Sequence, residues 1–247
     1  MRLYKEEKHE VIYQTQVNDP FFNYVTELMF SRMTGPGRLL DMGCGSGRNI
    51  ILAAQRGFEG VGIDINSKSL EVAGEYAKRM GVDKKTRFIR ADLRNLTLLG
   101  LGKFDYVMMQ EVIEHVEDYQ ALIDLSYRLL KKGGRLLLST PNDPSQWNLL
   151  DEYAEHVRRF RPVEIRSALK EFSRIEIFTV GFPIQRLTIT IYDLMLRILK
   201  RQHKAKLFRR NDLFHALYFT IGAAVMNFDG LFNGIHMGTT IVAGAEK

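Results

Sequence analysis

Residues 39–48 read Leu-Leu-Asp-Met-Gly-Cys-Gly-Ser-Gly-Arg, and the rest of the chain takes its meaning from them. The short apolar pair Leu39-Leu40 runs into Asp41. Glycines follow at alternate positions, Gly43, Gly45 and Gly47, and then Asn49-Ile50-Ile51-Leu52-Ala53-Ala54 carries a helical pattern. A strand that ends in an acid, turns on glycines and opens a helix lets a ligand approach the backbone closely. The spacing is Gly-x-Gly-x-Gly behind an Asp, not Gly-x-Gly-x-x-Gly. A pyrophosphate asks for N–H groups at a helix N-terminus, and a carboxylate beside it would repel. Asp41 suits instead a ligand with a cationic amino group. Without a ligand the same residues would be a tight strand-to-helix turn.

On either side of this turn, strand and helix patterns alternate. Phe21 to Met33 carries Phe22, Val25, Leu28 and Met29 at helical spacing, and Gly35-Pro36-Gly37 breaks it. Gly60 to Ile65 reads as a strand. Ser67 to Met80 reads as a helix, capped by Asn66 or Ser67 and stopped by Gly81. Strands are expected at Thr86–Arg90 and Phe104–Met109, then a helix at Tyr119–Leu130 ended by Lys131-Lys132-Gly133-Gly134. Arg135–Thr140 reads as a strand closed by Pro141, Pro162–Phe172 as a helix, and Arg174–Val180 as a strand. Pro183 to Asn233 interrupts the rhythm, and Gly238–Gly244 reads as a closing strand. Such alternation implies an α/β fold with a doubly wound, mostly parallel sheet. Ligands of such sheets bind outside the carboxyl ends of the strands.

The 247 residues, 45% hydrophobic and 26% charged, fit one α/β domain or a domain with a small appendage. The single cysteine, Cys44, excludes an intramolecular disulfide and points to a reducing, cytoplasmic setting. Inside the glycine turn it reads as a small packing residue. Met1 to Glu10 lacks the apolar run of a signal peptide. The net charge of +6 is concentrated: Arg197, Lys200, Arg201, Lys204, Lys206, Arg209 and Arg210 follow one another with no acid between. One basic patch, on a chain otherwise near neutral, makes nucleic acid an unlikely partner.

The Asp41-x-Gly-x-Gly-x-Gly stretch resembles motif I of the class I S-adenosylmethionine-dependent methyltransferases. Their ligand carries an ammonium and a sulfonium but no phosphate. The resemblance implies a Rossmann-like seven-stranded sheet with the last strand antiparallel, and S-adenosyl-L-methionine as cofactor. It implies that Asp41, Gly43, Cys44, Gly45 and Gly47 form the cofactor turn. Asp64, followed by Ile65, would grip the ribose hydroxyls from the end of the second strand. Asp92, followed by Leu93, would accept from the adenine amino group, and Gln110 would lie near the methionine part. Arg48 would meet the carboxylate or stand in solvent.

Glu111-Val-Ile-Glu114-His115 follows the fourth strand directly. If a helical turn starts at Glu111, then Glu111, Glu114 and His115 share one face. Two crowded carboxylates repel unless a cation or proton separates them. With an imidazole they suit Mg²⁺ or Mn²⁺, and also Zn²⁺. His156 is a fourth candidate ligand, ahead of Phe160, Pro162 and Glu164. The combination resembles the ubiquinone-biosynthesis O-methyltransferases, and also the small-RNA 3′-terminal 2′-O-methyltransferases, whose similar residues hold a divalent ion. Without a metal, His115 or His156 is the expected general base.

Three segments are expected: an N-terminal helical cap (1–36), a methyltransferase domain (37–182 and 234–247), and a helical insert (183–233). In the insert, Leu187, Ile191, Leu194, Met195 and Ile198 recur at helical spacing. Leu213 to Phe228 carries no Lys, Arg, Asp or Glu, yet is shorter than the ~20 residues a spanning helix needs. Residues 187–228 are expected to lie against an anionic membrane surface, to form a lid, or to make a homodimer contact. The expected function is O-methylation of a small lipophilic or phenolic acceptor, peripheral at the membrane. The alternatives are RNA 2′-O-methylation and a cofactor-binding protein that methylates nothing.

Overall fold

The computed structural model describes residues 9–94, 100–201 and 213–247. Helix α1 (His9–Asn18) leads into α2 (Pro20–Phe30). Asp19 caps α2, its carboxylate accepting from the N–H groups of Phe21 and Phe22 at 2.8 and 3.0 Å. The alternating core follows as β1 (Arg38–Met42), α3 (Arg48–Gln55), β2 (Glu59–Asp64), α4 (Ser67–Arg79), β3 (Thr86–Arg90) and β4 (Phe104–Gln110). Then come α5 (Tyr119–Leu129), β5 (Leu130–Pro141), α6 (Leu149–Ala154), α7 (Pro162–Ala168) and β6 (Ser173–Val180). The insert holds α8 (Ile184–Arg201) and α9 (Leu213–Asp229), and β7 (Thr240–Glu246) closes the sheet.

The strands lie in the order β3-β2-β1-β4-β5-β7-β6. Every pairing from β3 to β5 is parallel, and β7 runs antiparallel to both β5 and β6. This is the doubly wound, Rossmann-like sheet expected, with its reversal of strand order beside β1. Side chains alternate across the strands, so Leu40, Val107 and Leu136 join α5 and α7 on one face while Leu39, Met108 and Leu137 join α2 and α3 on the other. Both faces are covered, which is why the central positions of β1, β4 and β5 carry consecutive apolar residues. Each fully buried Leu or Met contributes roughly 1.5–3 kcal/mol.

Several boundaries differ from the sequence reading: the helix expected at Phe21–Met33 spans Pro20–Phe30, that at Pro162–Phe172 ends at Ala168, and two strand boundaries are moved by packing against distant backbone. Lys131-Lys132-Gly133-Gly134 does not only end a helix: β5 starts at Leu130, opposite Phe104, and the register then jumps to Tyr106 opposite Arg135. Gly133 takes a left-handed φ of 76° there, and a Cβ on Gly134 would stand 2.9 Å from the Asp105 carbonyl oxygen. The glycines thus form a bulge that keeps the strand in the sheet. The closing strand begins at Thr240 rather than Gly238, because Gly238 is pressed against the Val180 backbone and donates its N–H to Thr179 Oγ1.

The insert is fastened at its base. Asp229, at the end of α9 and fully buried, accepts from the N–H groups of Ile184 and Gln185 at 2.9 and 2.8 Å, so one helix caps the start of the other. Pro20 packs on Gly222 of α9, where a Cβ would come within 2.6 Å of it. The apolar α9 therefore rests on α2. The basic run of the sequence falls largely outside the described residues: 202–212 are not described, and among its members the side chain of Arg197 pairs with Asp193 at 2.7 Å.

Gly47 joins α3 to the sheet. Its φ is 78°, and a Cβ there would lie 2.6 Å from the Ala73 Cβ and 2.7 Å from the Phe88 ring. Gly47→Ala is expected to destabilise the protein by about 2–5 kcal/mol, from left-handed strain and overpacking together. Urea denaturation measures this; an unchanged midpoint would refute the tight approach.

Candidate active site

At the carboxyl ends of β1, β2, β4 and β5 a cavity of about 620 Å³ opens. Its floor is the glycine turn. Gly43 and Cys44 donate their N–H groups to the Ile63 carbonyl at 2.8 and 2.9 Å, tying the turn to β2. Asp64 closes the loop between strands: one carboxylate oxygen accepts from Gly45 N–H at 2.9 Å and the other from Asn66 N–H at 2.8 Å. Gly45 has φ 50° and nothing within 4 Å of where a Cβ would stand, so that direction is open to a ligand. Gly43, Cys44, Gly45, Asp64, Ile65, Leu93 and Gln110 all line the cavity. Burial, followed by the charges of Asp41 and Asp64, pushes the Cys44 thiol well above its ordinary pKa, which leaves it unreactive.

Asp41 does not line this cavity. It is 1% exposed, and its Oδ2 has no hydrogen-bond partner. Asn49, which does face the cavity, hydrogen-bonds to it. Burial, and then the nearby charge of Asp64, push its pKa up to about 7. The expected direct grip on a cationic group is thus replaced by a buried acid standing behind an amide. Asp92 is likewise away from the cavity; it forms a close ion pair with Arg94 at the surface, and this hydrogen bonding holds its pKa down to about 2.

Arg48 is buried rather than solvated. Its guanidinium donates to Thr26 Oγ1 and Asn49 Oδ1 at 2.8 Å each, and also to Asn23 Oδ1. Gln110 Oε1 accepts from Thr26 and Asn49 at 3.0 Å, so α2, α3 and the end of β4 share one polar network.

The acidic element departs from the helical turn expected. Glu111 adopts a left-handed φ of 53°, and the short 3-10 turn begins only at Ile113 and runs to His115. The two acids therefore diverge. Glu111 accepts from Ser139 Oγ at 2.7 Å, whereas Glu114 accepts from Thr140 Oγ1 at 2.9 Å. Adjacent β5 residues point to opposite faces, so the acids are held apart. One donor atom each of Glu114, His115 and His156 lie within 4.8 Å of one another, and Glu111 is not part of this group. The rings of His115 and His156 meet edge to face with centroids 4.8 Å apart.

Glu114 is fully buried and its Oε1 has no partner, standing 4.0 Å from His115 Nε2. Burial first, then Glu111, drive its pKa well up. Burial and then His156 push the His115 pKa down to about 4. Both shifts favour the neutral forms of the two groups over an ion pair between them. Glu111 is also raised, chiefly by burial.

Asp151 completes the site and was not expected from the sequence. It is 1% exposed, and its Oδ1 lies 2.8 Å from both His156 Nδ1 and Arg159 Nε, while Oδ2 accepts from Asn148 N–H at 2.8 Å. Burial pushes its pKa up, but the hydrogen bonds from His156 and Arg159 prevail and hold it below the ordinary value. The capping spacing Asn148-x-x-Asp151, five residues before His156, is the signal that points to it. The cavity walls between the two ends are apolar, from Phe21, Phe22, Val112, Leu150, Ala154 and Ile189.

The Methyltransferase domain family matches residues 13–172. The chain belongs to that family. The cofactor of the family is S-adenosylmethionine, and the open direction at Gly45 beside the Asp64 carboxylate leaves room for such a group. Among curated relatives, the ubiquinone biosynthesis O-methyltransferase of Psychrobacter arcticus is 33% identical over 123 residues, covering 49% of this chain and 48% of its own. That of Pseudomonas entomophila is 36% identical over 126 residues, covering 51% and 53%. The chain thus spans about half the length of the curated relatives it matches. Among solved structures, a SAM-dependent methyltransferase from Archaeoglobus fulgidus shares the fold with a TM-score of 0.60 at 19% identity, covering 99% of this chain and 98% of its own. A Haemonchus contortus phosphoethanolamine N-methyltransferase 2, solved with S-adenosyl-L-methionine, has a TM-score of 0.59 at 18% identity, covering 90% and 52%.

Because the folded Asp41 binds its proton up to about pH 7 and the unfolded one only to about pH 4, its burial costs nothing below pH 4. The cost grows as pH rises from 4 to 7 and is full above that. Asp41→Asn is therefore expected to be more stable than the parent protein at pH 8, by a few kcal/mol, and to match it at pH 4. Equal differences at the two pH values in urea denaturation would refute the raised pKa.

Proposed function

We propose that this chain is an S-adenosylmethionine-dependent O-methyltransferase for a small lipophilic or phenolic acceptor. The observation that carries the reading is a single cavity lined by Asp64 and the glycine turn, by His115 and His156, and by apolar side chains, with Glu114 buried within 4.8 Å of the two imidazoles. The relatives' O-methylation in ubiquinone biosynthesis supports an oxygen acceptor with an apolar body. Bound S-adenosylmethionine supplies an electrophilic sulfonium methyl. The chain holds the acceptor oxygen toward it and excludes water with the apolar walls. The acceptor's hydroxyl proton must leave as the oxygen–carbon bond forms and the carbon–sulfur bond breaks. Asp151 takes the Nδ1–H of His156, which leaves Nε2 bare to receive that proton.

A divalent cation is the further element of this reading. The unpartnered Glu114 Oε1 with two imidazoles gives one oxygen and two nitrogen donors, a set that fits Zn²⁺ or Mn²⁺ better than Mg²⁺. When bound, such an ion favours the deprotonated acceptor oxygen. His156 Nε2 has one lone pair, so it serves the ion or the proton, not both. Chelation separates the roles. Activity lost on stripping and restored by Zn²⁺ or Mn²⁺ assigns His156 as a ligand; full activity after stripping removes the metal and leaves it as the base. S-adenosylhomocysteine release is the readout, screened over phenols and quinols. No release with any of them would defeat the acceptor class.

The insert supports contact with an anionic membrane surface. Leu187, Ile191, Leu194 and Ile198 are exposed along one stripe of α8, and the acid-free basic run lies at its far end in the sequence. Ile189 of the same helix faces the cavity, so a lipophilic acceptor held in that surface would be close to its pocket. No helix among the described residues is long and apolar enough to cross a membrane. The protein is expected to float with vesicles containing anionic lipid, and Leu187→Ser with Leu194→Ser to reduce the floated fraction. Equal flotation with neutral vesicles would defeat the role of charge.

A further inference from the structure

A second cavity, of about 190 Å³, lies beside the large one and shares Asn148, Arg159, Ile189 and Thr239 with it. Its hydrogen-bonding inventory is one-sided. The neutral amides are occupied: Gln146 Nε2 donates to the Gly238 carbonyl and Asn148 Nδ2 to the Gln146 carbonyl, each at 3.1 Å. The one acid among its lining residues, Asp193, is occupied too. One of its oxygens accepts from Leu149 N–H at 2.9 Å and the other from Arg197 Nε at 2.7 Å. Two guanidinium groups remain. Arg159, its side chain 8% exposed, gives Nε to Asp151 at 2.8 Å and Nη1 to the Asn142 carbonyl at 3.1 Å, and its Nη2 makes no bond among the described residues. Arg186 gives Nη1 to the Met237 carbonyl at 3.0 Å and makes no ion pair among the described residues. Asp143 feels Arg186 only through space and accepts from Ser145 N–H at 3.0 Å. A guanidinium offers five N–H donors and no acceptor. Two of them on one small cavity, whose acid and amides are already engaged, form a donor set that an anion completes.

We propose that the small cavity is an anion subsite for the methyl acceptor. The acceptor carries a carboxylate or phosphate arm, held by Arg159 and Arg186, while its hydroxyl stands in the large cavity beside His156. The proposal rests on the O-methyltransferase reading above and deepens it by naming the acceptor's class. A volume of about 190 Å³ beside one of about 620 Å³ suits a substituent rather than the body of the acceptor. Arg159 ties the subsite to the chemistry: its Nε and His156 Nδ1 meet the same Asp151 oxygen, each at 2.8 Å. An arm docked on the far edge of that guanidinium is therefore fixed relative to the imidazole that receives the proton. An acceptor without the arm is held by apolar contact alone, which has no direction. Arg186, in the first turn of α8, makes the insert a specificity element as well as a wall.

Trp147 is the only tryptophan of the chain and lines the small cavity, so its fluorescence reads occupancy there without turnover. The full chain is titrated with phenyl phosphate, benzoate and neutral benzyl alcohol. The better of the two anions is expected to saturate the emission change at concentrations about 10–100-fold below benzyl alcohol, the range of a charge-assisted hydrogen bond. Which anion that is tells a phosphate arm from a carboxylate one. Arg186→Gln is expected to weaken anion binding about 10-fold and leave benzyl alcohol unchanged. Arg186→Lys, keeping the charge without the fork, is expected to fall between. Unchanged S-adenosylmethionine affinity by calorimetry reports that the variants fold. Anions that bind no more tightly than benzyl alcohol overturn the proposal, as do full anion affinity in Arg186→Gln and the lack of a saturable change with any probe. In turnover, phenols with an anionic arm are expected to show KM about 10-fold below their neutral esters, a difference lost in Arg186→Gln with kcat little changed. Equal KM values overturn the role in acceptor binding. Anion binding at Trp147 without methylation of any phenol would instead defeat the O-methyltransferase reading.

Discussion

Burial of charge at the carboxyl ends of the strands is the constraint on which this protein's design turns. Asp41, Glu114, Asp151 and Arg48 are each almost wholly removed from water, and an isolated buried ion would cost several kcal/mol. The chain resolves the four in different ways. Asp151 is compensated in full by a histidine, an arginine and a backbone N–H. Glu114 and Asp41 are raised toward their neutral forms. Arg48 stays charged and is surrounded by neutral acceptors. Three of the four keep an unpartnered atom, and such atoms are where a polar ligand gains most on arrival.

These incompletely satisfied groups sit on rigid supports. Asp41 lies one residue before the end of β1, Glu114 is in the turn behind β4, and Arg48 opens α3. The apolar walls come from α2, the turn after β4, α6 and the insert, and α6 also supplies Asp151.

Much of the fold was legible because its signals are local. Gly43, Gly45 and Gly47 mark a turn that only left-handed backbone can make, and the alternating apolar runs mark strands buried on both faces. Boundaries failed where a distant partner decided them: Gly134 against Asp105 prolonged β5, and Gly238 against Val180 delayed β7. Asp64, Gln110, His115 and His156, singled out by a strand end or a short motif, all line the cavity. Spacing alone misjudged Glu111, because one positive φ takes it out of helical phase. Asp151 was signalled only by the capping spacing Asn148-x-x-Asp151 ahead of His156, and the buried state of Arg48 depends on Asn23 and Thr26, far off in sequence, with no period to reveal it.

Ser139 and Thr140 each hold one of the two acids from opposite faces of β5. A slip of one residue would exchange the hydroxyls and strip both acids of their partner at once. β5 resists it from both edges, with Ser139 opposite Gln110 on β4 and opposite Val242 on β7. The separation of the acids is therefore stored in the strand ladder and not in the loops that shape the acceptor pocket. Descendants of this chain could trade those loops for new acceptors while the spacing of the acids passes unchanged from one to the next.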